Sequence, residues 1–215
     1  MHTDSRQEDL RALSRGLLRS VAKIGPSARV LEIHHTAVRA LDPDFLHPGP
    51  HDFGVSLSLN HGSELGSGQT LVCKTASLPF QDRVFDRVVL QHVVRDGSEP
   101  EIYEAARVLA RDGVLIILGL NRLGWRFCSQ GRLRRLPGIA PLKVKSQLDR
   151  LDMTLQGFAG AGLMGMRRPV FMSSGLAGLG SPIADIVLLQ ARHSVGPEAA
   201  PLNFRKSRSG VVQSA

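Results

Sequence analysis

Hydrophobic residues recur at two spacings along this chain, and the spacings predict helices alternating with strands. Near the start, aliphatic residues three or four positions apart form one apolar stripe, typical of an amphipathic helix that packs on a core. Gly25 and Pro26 end this helix, because glycine suits the position after a helix and proline cannot continue it. We therefore expect residues 1–26 to form an N-terminal helix packed on a following domain. The stripe comprises Leu10, Leu13, Leu17, Leu18, Val21 and Ile24.

Short aliphatic runs after this helix predict strands. The strongest of them are Val84–Leu90, Val114–Leu118 and Ile183–Ala191, and Val114–Leu118 is wholly apolar, as expected for a strand covered on both faces of a sheet. Weaker strand signals are Arg29–Ile33, Phe53–Leu59, Thr70–Lys74 and Thr154–Phe158.

Turn and capping residues place helices between these strands. Ser98-Glu99-Pro100-Glu101 has the spacing of a capping box that starts a helix, and Asp112-Gly113 predicts the turn that follows it. Strands alternating with helices predict an α/β fold with a doubly wound, mostly parallel sheet in a single domain, residues 27–193. Shorter helices are predicted at 36–41, Ser146–Leu151 and Ser173–Leu179, with glycine-rich loops at Gly62–Gly68 and around Gly157, Gly160, Gly162 and Gly165.

Length and composition fit one globular domain. The chain has 215 residues, of which 42% are hydrophobic and 21% charged, and its two cysteines cannot make a disulfide framework. No apolar run approaches the ~20 residues of a membrane helix. We expect a cytoplasmic protein with no membrane span and with a flexible tail at residues 194–215.

The net charge of +8 is concentrated in one segment. Residues 121–150 contain eight Arg or Lys and one Asp, a net charge of +7. Trp125 and Phe127 are interleaved with Arg122 and Arg126, a pattern that permits contact with nucleic acid or with an anionic membrane surface. The simpler interpretation, which we favour, is a basic lid that grips an anionic substrate.

Three motifs carry a resemblance to a known family. They are Leu78-Pro79-Phe80, then Phe85-Asp86 before a strand that ends at Gln91-His92, then Arg107-Val108-Leu109 ahead of an Asp-Gly turn. Their order and spacing resemble the second half of a class I S-adenosylmethionine (SAM) methyltransferase domain of the type 11 group. The resemblance implies a Rossmann-like sheet whose last strand is antiparallel, SAM as cofactor, a small-molecule methyl acceptor and a substrate lid over residues 121–182.

The same resemblance locates the cofactor at the ends of strands one, three and four. In the family, strand one leads into an acidic-x-Gly-x-Gly loop, and the matching stretch of this chain is Glu32-Ile33-His34-His35-Thr36, which keeps the acidic residue and has two histidines and no glycine. A Cβ and an imidazole thus stand where close approach of the backbone is required. The implied cofactor-binding residues are Glu32, Ile33, His34, His35, Thr75, Ala76, Leu90 and Gln91.

Two carboxylates of the family pattern are also replaced. Ser58 or Asn60 stands where a carboxylate binds the ribose hydroxyls, and Lys74 or Thr75 where an Asp faces the adenine. Neutral groups can still hydrogen-bond a hydroxyl, but without charge assistance.

His92 is the candidate catalytic residue. Its imidazole could accept a proton from the acceptor near neutral pH, or it could pack at a strand end with a backbone partner, which we favour. Five histidines lie close in sequence, but prolines between them prevent a shared helix face and no Cys lies among them, so we predict no metal site. They are His34, His35, His47, His51 and His61.

Two functions follow from these residues. The first is a SAM-dependent methyltransferase that acts on a small, anionic acceptor. The second is a catalytically inactive methyltransferase-fold module that binds or regulates through the Arg-rich 122–150 surface. Nucleic-acid binding as the main role is not favoured, and the sequence leaves the oligomeric state open.

Overall fold

A computed structural model describes residues 2–21, 28–34, 53–58, 70–71, 77–95, 99–124, 137–162, 170–173 and 184–194. Within these ranges the chain forms three helices and nine strands. The helices are α1 (His2–Val21), α2 (Glu99–Val108) and α3 (Pro141–Arg150). The strands are β1 (Arg29–His34), β2 (Phe53–Ser58), β3 (Thr70–Leu71), β4 (Phe85–Gln91), β5 (Leu109–Asn121), β6 (Gly138–Ile139), β7 (Met153–Ala161), β8 (Val170–Ser173) and β9 (Ile186–His193).

All nine strands belong to one mixed sheet. Its order is β3-β2-β1-β4-β5-β9-β7-β8, and β6 pairs with the end of β5. Strands β1 to β6 pair in parallel, whereas β9 runs antiparallel to both β5 and β7. The α/β, doubly wound, mostly parallel sheet with an antiparallel last strand is confirmed.

The sheet has an apolar core on each face. On one face, α2 and α3 cover buried residues such as Leu31, Phe85 and Ile117. On the other, the predicted leucine stripe of α1 covers alternate residues of the same strands and of β7 and β9. Leu10, Leu13, Leu17 and Leu18 are all buried, so this helix packs on the sheet through the face that the sequence predicts.

Two local predictions are wrong. Asp112-Gly113 is not a free turn before β5, because β5 begins at Leu109, which pairs with Phe85. The next pair is Val114 with Arg87, so the extra residues bulge out between the two pairs. The predicted glycine-rich loop is also incorrect at Gly157 and Gly160, which lie in β7 and pair with both β8 and β9.

Other elements differ in extent. Helix α3 begins at Pro141, five residues before the predicted Ser146, because proline suits the first turn of a helix. Strand β8 (Val170–Ser173) has no counterpart among the predictions, and Ser173 lies in it rather than in a helix. The other predicted features that fall outside the described residues are the helix at 36–41, the Gly62–Gly68 loop, the Ser98 cap, residues 174–179 and the tail from 195 onward. No helix in the described ranges is both long and apolar enough to cross a membrane.

Candidate functional site

The carboxyl ends of β1, β2 and β4 meet at one edge of the sheet. His34 is level with Ser58 of β2 and with Gln91 of β4. Val30 and Val89 belong to the core beneath α1. Because side chains alternate along a strand, Glu32, His34 and Gln91 lie on this same face. Ser56 of β2 is level with Glu32 and lies there too, so polar side chains of three strands are gathered under the α1 side of this edge.

Glu32 is the centre of this polar cluster. Gln91 donates from Nε2 to Glu32 Oε1 at 2.5 Å, and Ser56 donates from Oγ to Glu32 Oε2 at 3.0 Å. The side chains of Glu32 and Gln91 are fully buried. Hydrogen bonds of a buried carboxylate are stronger than those in water, and a buried charge is costly unless it is so satisfied. The cluster therefore fixes three neighbouring strand ends relative to one another.

His34 completes the cluster instead of starting a loop. It is the last residue of β1, it is buried, and its Nε2 lies 3.1 Å from Ser56 Oγ. Ser56 has one hydroxyl proton and gives it to Glu32. The remaining contact therefore requires a proton on Nε2 of His34, so the imidazole is the donor. Glu32, His34 and Gln91, three of the cofactor-binding residues implied by the sequence, are thus brought together.

Two more implied residues lie at the same edge with their side chains elsewhere. Ile33 and Leu90 are buried in the core on the α2 and α3 face of the sheet. Any contact they make with a ligand beyond the strand ends would come from their main-chain groups. His35, Thr75 and Ala76 fall outside the described residues, as do Asn60 and Lys74.

His92 follows β4 and lies beneath α1. Its φ of 53° is in the left-handed region, its amide donates to Leu118 O at 2.8 Å, and its side chain is fully buried. Nε2 lies 3.1 Å from Oγ of Ser14, also fully buried. The sequence analysis missed Ser14. Its signal was available, since Ser14 is a polar residue on the apolar stripe of α1.

A second polar group anchors the Leu78-Pro79-Phe80 segment to α2. Glu104 accepts hydrogen bonds from the Leu78 amide at 2.9 Å and from Arg107 Nη2 at 2.8 Å. Arg107 also donates to the carbonyls of Phe80 at 2.9 Å and Leu78 at 3.1 Å, and to Asp82 at 2.6 Å. The guanidinium of Arg107, helped by the Leu78 amide, holds the pKa of Glu104 below its ordinary value against the opposing effect of burial. We call Glu104, Arg107 and the main chain they hold the α2 anchor.

At the far side of the same edge, β5 and β9 are joined by Asn121. Its Nδ2 donates to Ala184 O at 2.9 Å, and its Oδ1 accepts from the Leu123 amide at 3.1 Å. The buried Asp185 follows, and its carbonyl accepts from the Asn121 amide at 2.9 Å. Gly162 lies against it with φ of +80°, where an added Cβ would stand 2.8 Å from Asp185 Oδ2. This junction therefore leaves no space for a side chain at position 162.

The described parts of the basic segment lie beside this junction. The Arg122 amide donates to Ile139 O at 3.1 Å, which holds the turn after β5 against β6. Two leucines near this contact, Leu123 and Leu142, are each 64% exposed. Lys145 pairs with Asp149 at 2.6 Å on the surface of α3. Arg126 and Trp125 fall outside the described residues.

Metal-ligating groups do not converge in the part of the chain that is described. There, no three His, Cys, Asp or Glu side chains are placed to hold an ion. Of the five histidines of the sequence cluster, only His34 lies in a described range.

Sequence comparison finds no match, whereas structural comparison does. No model of a known protein family matches the chain, and no curated protein matches it. A SAM-dependent methyltransferase from Thermotoga maritima is 13% identical with a TM-score of 0.58, over 87% of this chain and 93% of that one. One from Archaeoglobus fulgidus is 15% identical with a TM-score of 0.56, over 89% and 99%. A glycopeptide N-methyltransferase is 12% identical with a TM-score of 0.54, over 86% and 90%.

These similarities extend over nearly the whole length of each compared structure, while sequence identity is low. They therefore identify the fold, and the reaction has to be inferred from the residues of the site. The strand order and the antiparallel last strand agree with it. The chain has the fold of class I SAM-dependent methyltransferases.

Proposed function

We propose that the protein is a SAM-dependent methyltransferase acting on a small, anionic acceptor. The observation that carries the proposal is the buried Glu32 at the carboxyl end of β1, tied to β2 through Ser56 and to β4 through Gln91. In open α/β sheets the ligand lies beyond the carboxyl ends of the strands, at the point where the strand order reverses. Strands β1 and β4 flank that point here.

The chemistry of these groups fits the cofactor. SAM bears a positive sulfonium and an ammonium group, and a carboxylate in a low-dielectric setting favours nearby positive charge. Glu32 supplies that charge, while Gln91 and the main chain at the ends of β1 and β4 would orient the bound molecule. When bound, SAM supplies an electrophilic methyl carbon, and the protein's part is to hold the acceptor in line with it.

For His92 we propose the packing role rather than the catalytic one, because its side chain is fully buried beneath α1. Its Nε2 is 3.1 Å from the Ser14 hydroxyl, which can donate to a neutral imidazole or accept from a protonated one. Ser14 can therefore accompany the imidazole through both protonation states. Exposed Arg122, at the same edge of the sheet, would attract the anionic acceptor within a lid that ends before β7, because residues 153–161 lie in the sheet.

Calorimetric titration of the full chain with SAM and with S-adenosylhomocysteine tests the proposal, after a check that no cofactor has co-purified. Micromolar binding that weakens at least tenfold in Glu32→Gln supports it, since a charged hydrogen-bonding group is worth about 1.5–3 kcal/mol. No binding at millimolar cofactor rejects it. Arg111→Gln, on the exposed bulge of β5, is the matched control and should bind as the unaltered protein does.

A second candidate is the catalytically inactive binding module. The specific observation in its favour is His34, whose buried imidazole stands at a glycine position of the family pattern and bonds Ser56. His34→Gly distinguishes the two functions. If the imidazole blocks the site, this variant gains affinity for SAM; if the imidazole cradles the cofactor, affinity falls.

A further inference from the structure

Exposed aliphatic and basic side chains coincide at one end of the sheet. The described chain exposes three large hydrophobic side chains, and two of them, Leu123 and Leu142, lie in the basic segment. Exposed Arg122 and Lys143 are their immediate neighbours in sequence. We call these four residues the Leu-Arg surface.

Pairing of β5 with β6 brings the two halves of this surface together. Asn121 is level with Ile139, and the Arg122 amide bonds the Ile139 carbonyl at 3.1 Å. Leu123 lies two residues after one member of that pair, and Leu142 three residues after the other. Both leucines therefore follow strands that end at the same edge of the sheet, although Leu123 and Leu142 are 19 positions apart in the sequence.

Charge around the surface is positive. In residues 121–124 and 137–150, the described parts of the basic segment, four cations and one carboxylate give a net charge of +3, and the carboxylate, Asp149, is held by Lys145 at 2.6 Å. A patch with this charge attracts polyanionic surfaces over about a Debye length, ~8 Å at physiological ionic strength. The exposed leucines add an apolar component that a phosphate backbone does not use.

We propose that the Leu-Arg surface docks the protein on an anionic lipid bilayer, with the two leucines entering the interface and the cations contacting the headgroups. Peripheral helices and loops bind bilayers by this combination of buried apolar area and attraction to anionic lipid. Nucleic acid is the competing polyanion, but single strands are held by stacking on aromatic rings, and the exposed apolar side chains that the structure describes in this segment are the aliphatic Leu123 and Leu142. Arg122 takes part in both proposals, but vesicle docking needs no SAM and SAM binding at Glu32 needs no vesicle, so each can fail without the other.

Vesicle sedimentation of the full chain tests the docking. Vesicles of phosphatidylcholine alone are compared with vesicles that also contain phosphatidylglycerol. We expect binding to the anionic vesicles, weakening as salt is raised, and little binding to the neutral ones. Arg122→Gln with Lys143→Gln should lower the partition coefficient roughly 25-fold, from about fivefold for each cation near the surface.

The second part of the vesicle test substitutes the two leucines. Leu123→Ser with Leu142→Ser should weaken binding to anionic vesicles by roughly tenfold per leucine. The matched control is Tyr103→Ser with Arg111→Gln, one exposed apolar and one exposed basic residue outside the basic segment, which should bind as the unaltered chain does. Circular dichroism of each variant verifies folding, which exposed substitutions should leave intact.

Three outcomes would overturn the proposal. Equal sedimentation with neutral and anionic vesicles removes the role of charge. Unchanged binding in the double leucine variant removes the apolar contact. Tighter binding to an oligonucleotide than to anionic vesicles, insensitive to the leucine substitutions, assigns the surface to nucleic acid instead.

Discussion

Replacing Arg107 by leucine should destabilise the protein markedly, because the α2 anchor depends on this one guanidinium. Arg107 makes two hydrogen bonds to Glu104, at 2.9 and 2.8 Å, and one each to Asp82 and to the carbonyls of Leu78 and Phe80. Its side chain is 24% exposed and that of Glu104 only 12%. Arg107→Leu would leave a mostly buried carboxylate with the Leu78 amide but without its cation.

The size of the effect follows from these contacts. Removing one partner of a fully buried ion pair costs about 3–5 kcal/mol. The partial exposure of Arg107 lowers this, so we expect a loss of about 3 kcal/mol in the free energy of unfolding. The contact with Asp82 contributes little, because the Asp82 side chain is 71% exposed, and Asp82→Asn should cost no more than about 0.5 kcal/mol.

Urea unfolding followed by circular dichroism measures both variants, and equal m-values verify that the same transition is compared. Arg107→Lys adds a test of geometry. An ammonium cannot span Glu104 and two carbonyls as a planar guanidinium does, so this variant should recover less than half of the loss. If Arg107→Leu lies within about 1 kcal/mol of Asp82→Asn, the anchor is not the source of stability that its contacts indicate.

Three further expectations follow from other parts of the structure. Hydrogen bonds from Arg107, and from the Leu78 amide, keep the pKa of Glu104 in the folded protein below its value in the unfolded chain. The stabilisation is therefore present above the unfolded pKa and is lost as the pH falls through the folded pKa. Urea unfolding curves from about pH 6 to pH 3 should show this loss, and Glu104→Gln should flatten the dependence on pH. Gly162→Ala should lower the free energy of unfolding by about 2 kcal/mol, since φ is +80° and the new Cβ would stand 2.8 Å from Asp185 Oδ2. Gly157→Ala is the control and should change the unfolding midpoint far less, because its new Cβ would have no atom closer than 3.6 Å. Ser14→Ala should lower the free energy of unfolding by about 1 kcal/mol, because it removes the hydroxyl 3.1 Å from Nε2 of the buried His92. Urea unfolding measures this loss, and an unchanged unfolding midpoint would mean that Ser14 does not support that imidazole.

The sequence predicts most of the sheet because its central strands must be apolar on both faces. Val88, Leu90, Ile116 and Leu118 are all buried, as expected for strands covered on both faces of the sheet of an α/β domain. Strand β7 escaped prediction beyond Phe158 because its glycines have no side-chain signal. They lie in a strand because β8 and β9 pair with it on both sides, which is information from distant parts of the chain.

The sequence predicts which residues stand at the strand ends of the site, but not the contacts that they make across strands. Glu32 and Gln91 are recognisable at the ends of two strands, but their hydrogen bond depends on the register between β1 and β4. His34 resembles a loop residue in sequence, and its place in β1 follows from backbone pairing with β2 and β4, where it is level with Ser58 and Gln91. Ser14 is recognisable as a polar residue on the apolar stripe of α1, but its partner His92 is 78 positions away, and Glu104 accepts from the Leu78 amide 26 positions away, so spacing along the chain indicates neither contact.

Helix α1 covers strands from both ends of the chain, and this has a consequence for biosynthesis. Leu10, Leu17 and Leu18 share one core with Val30 and Val89 and also with Ile186 and Leu188 of the last strand. Helix α1 therefore completes the burial of its leucines only after β9, more than 160 positions later, has been synthesised. Contacts of such long sequence separation form slowly, and apolar surface that waits for its partner favours aggregation. Truncations that remove β9 should accordingly remain chaperone-bound rather than fold around the β1 to β5 half.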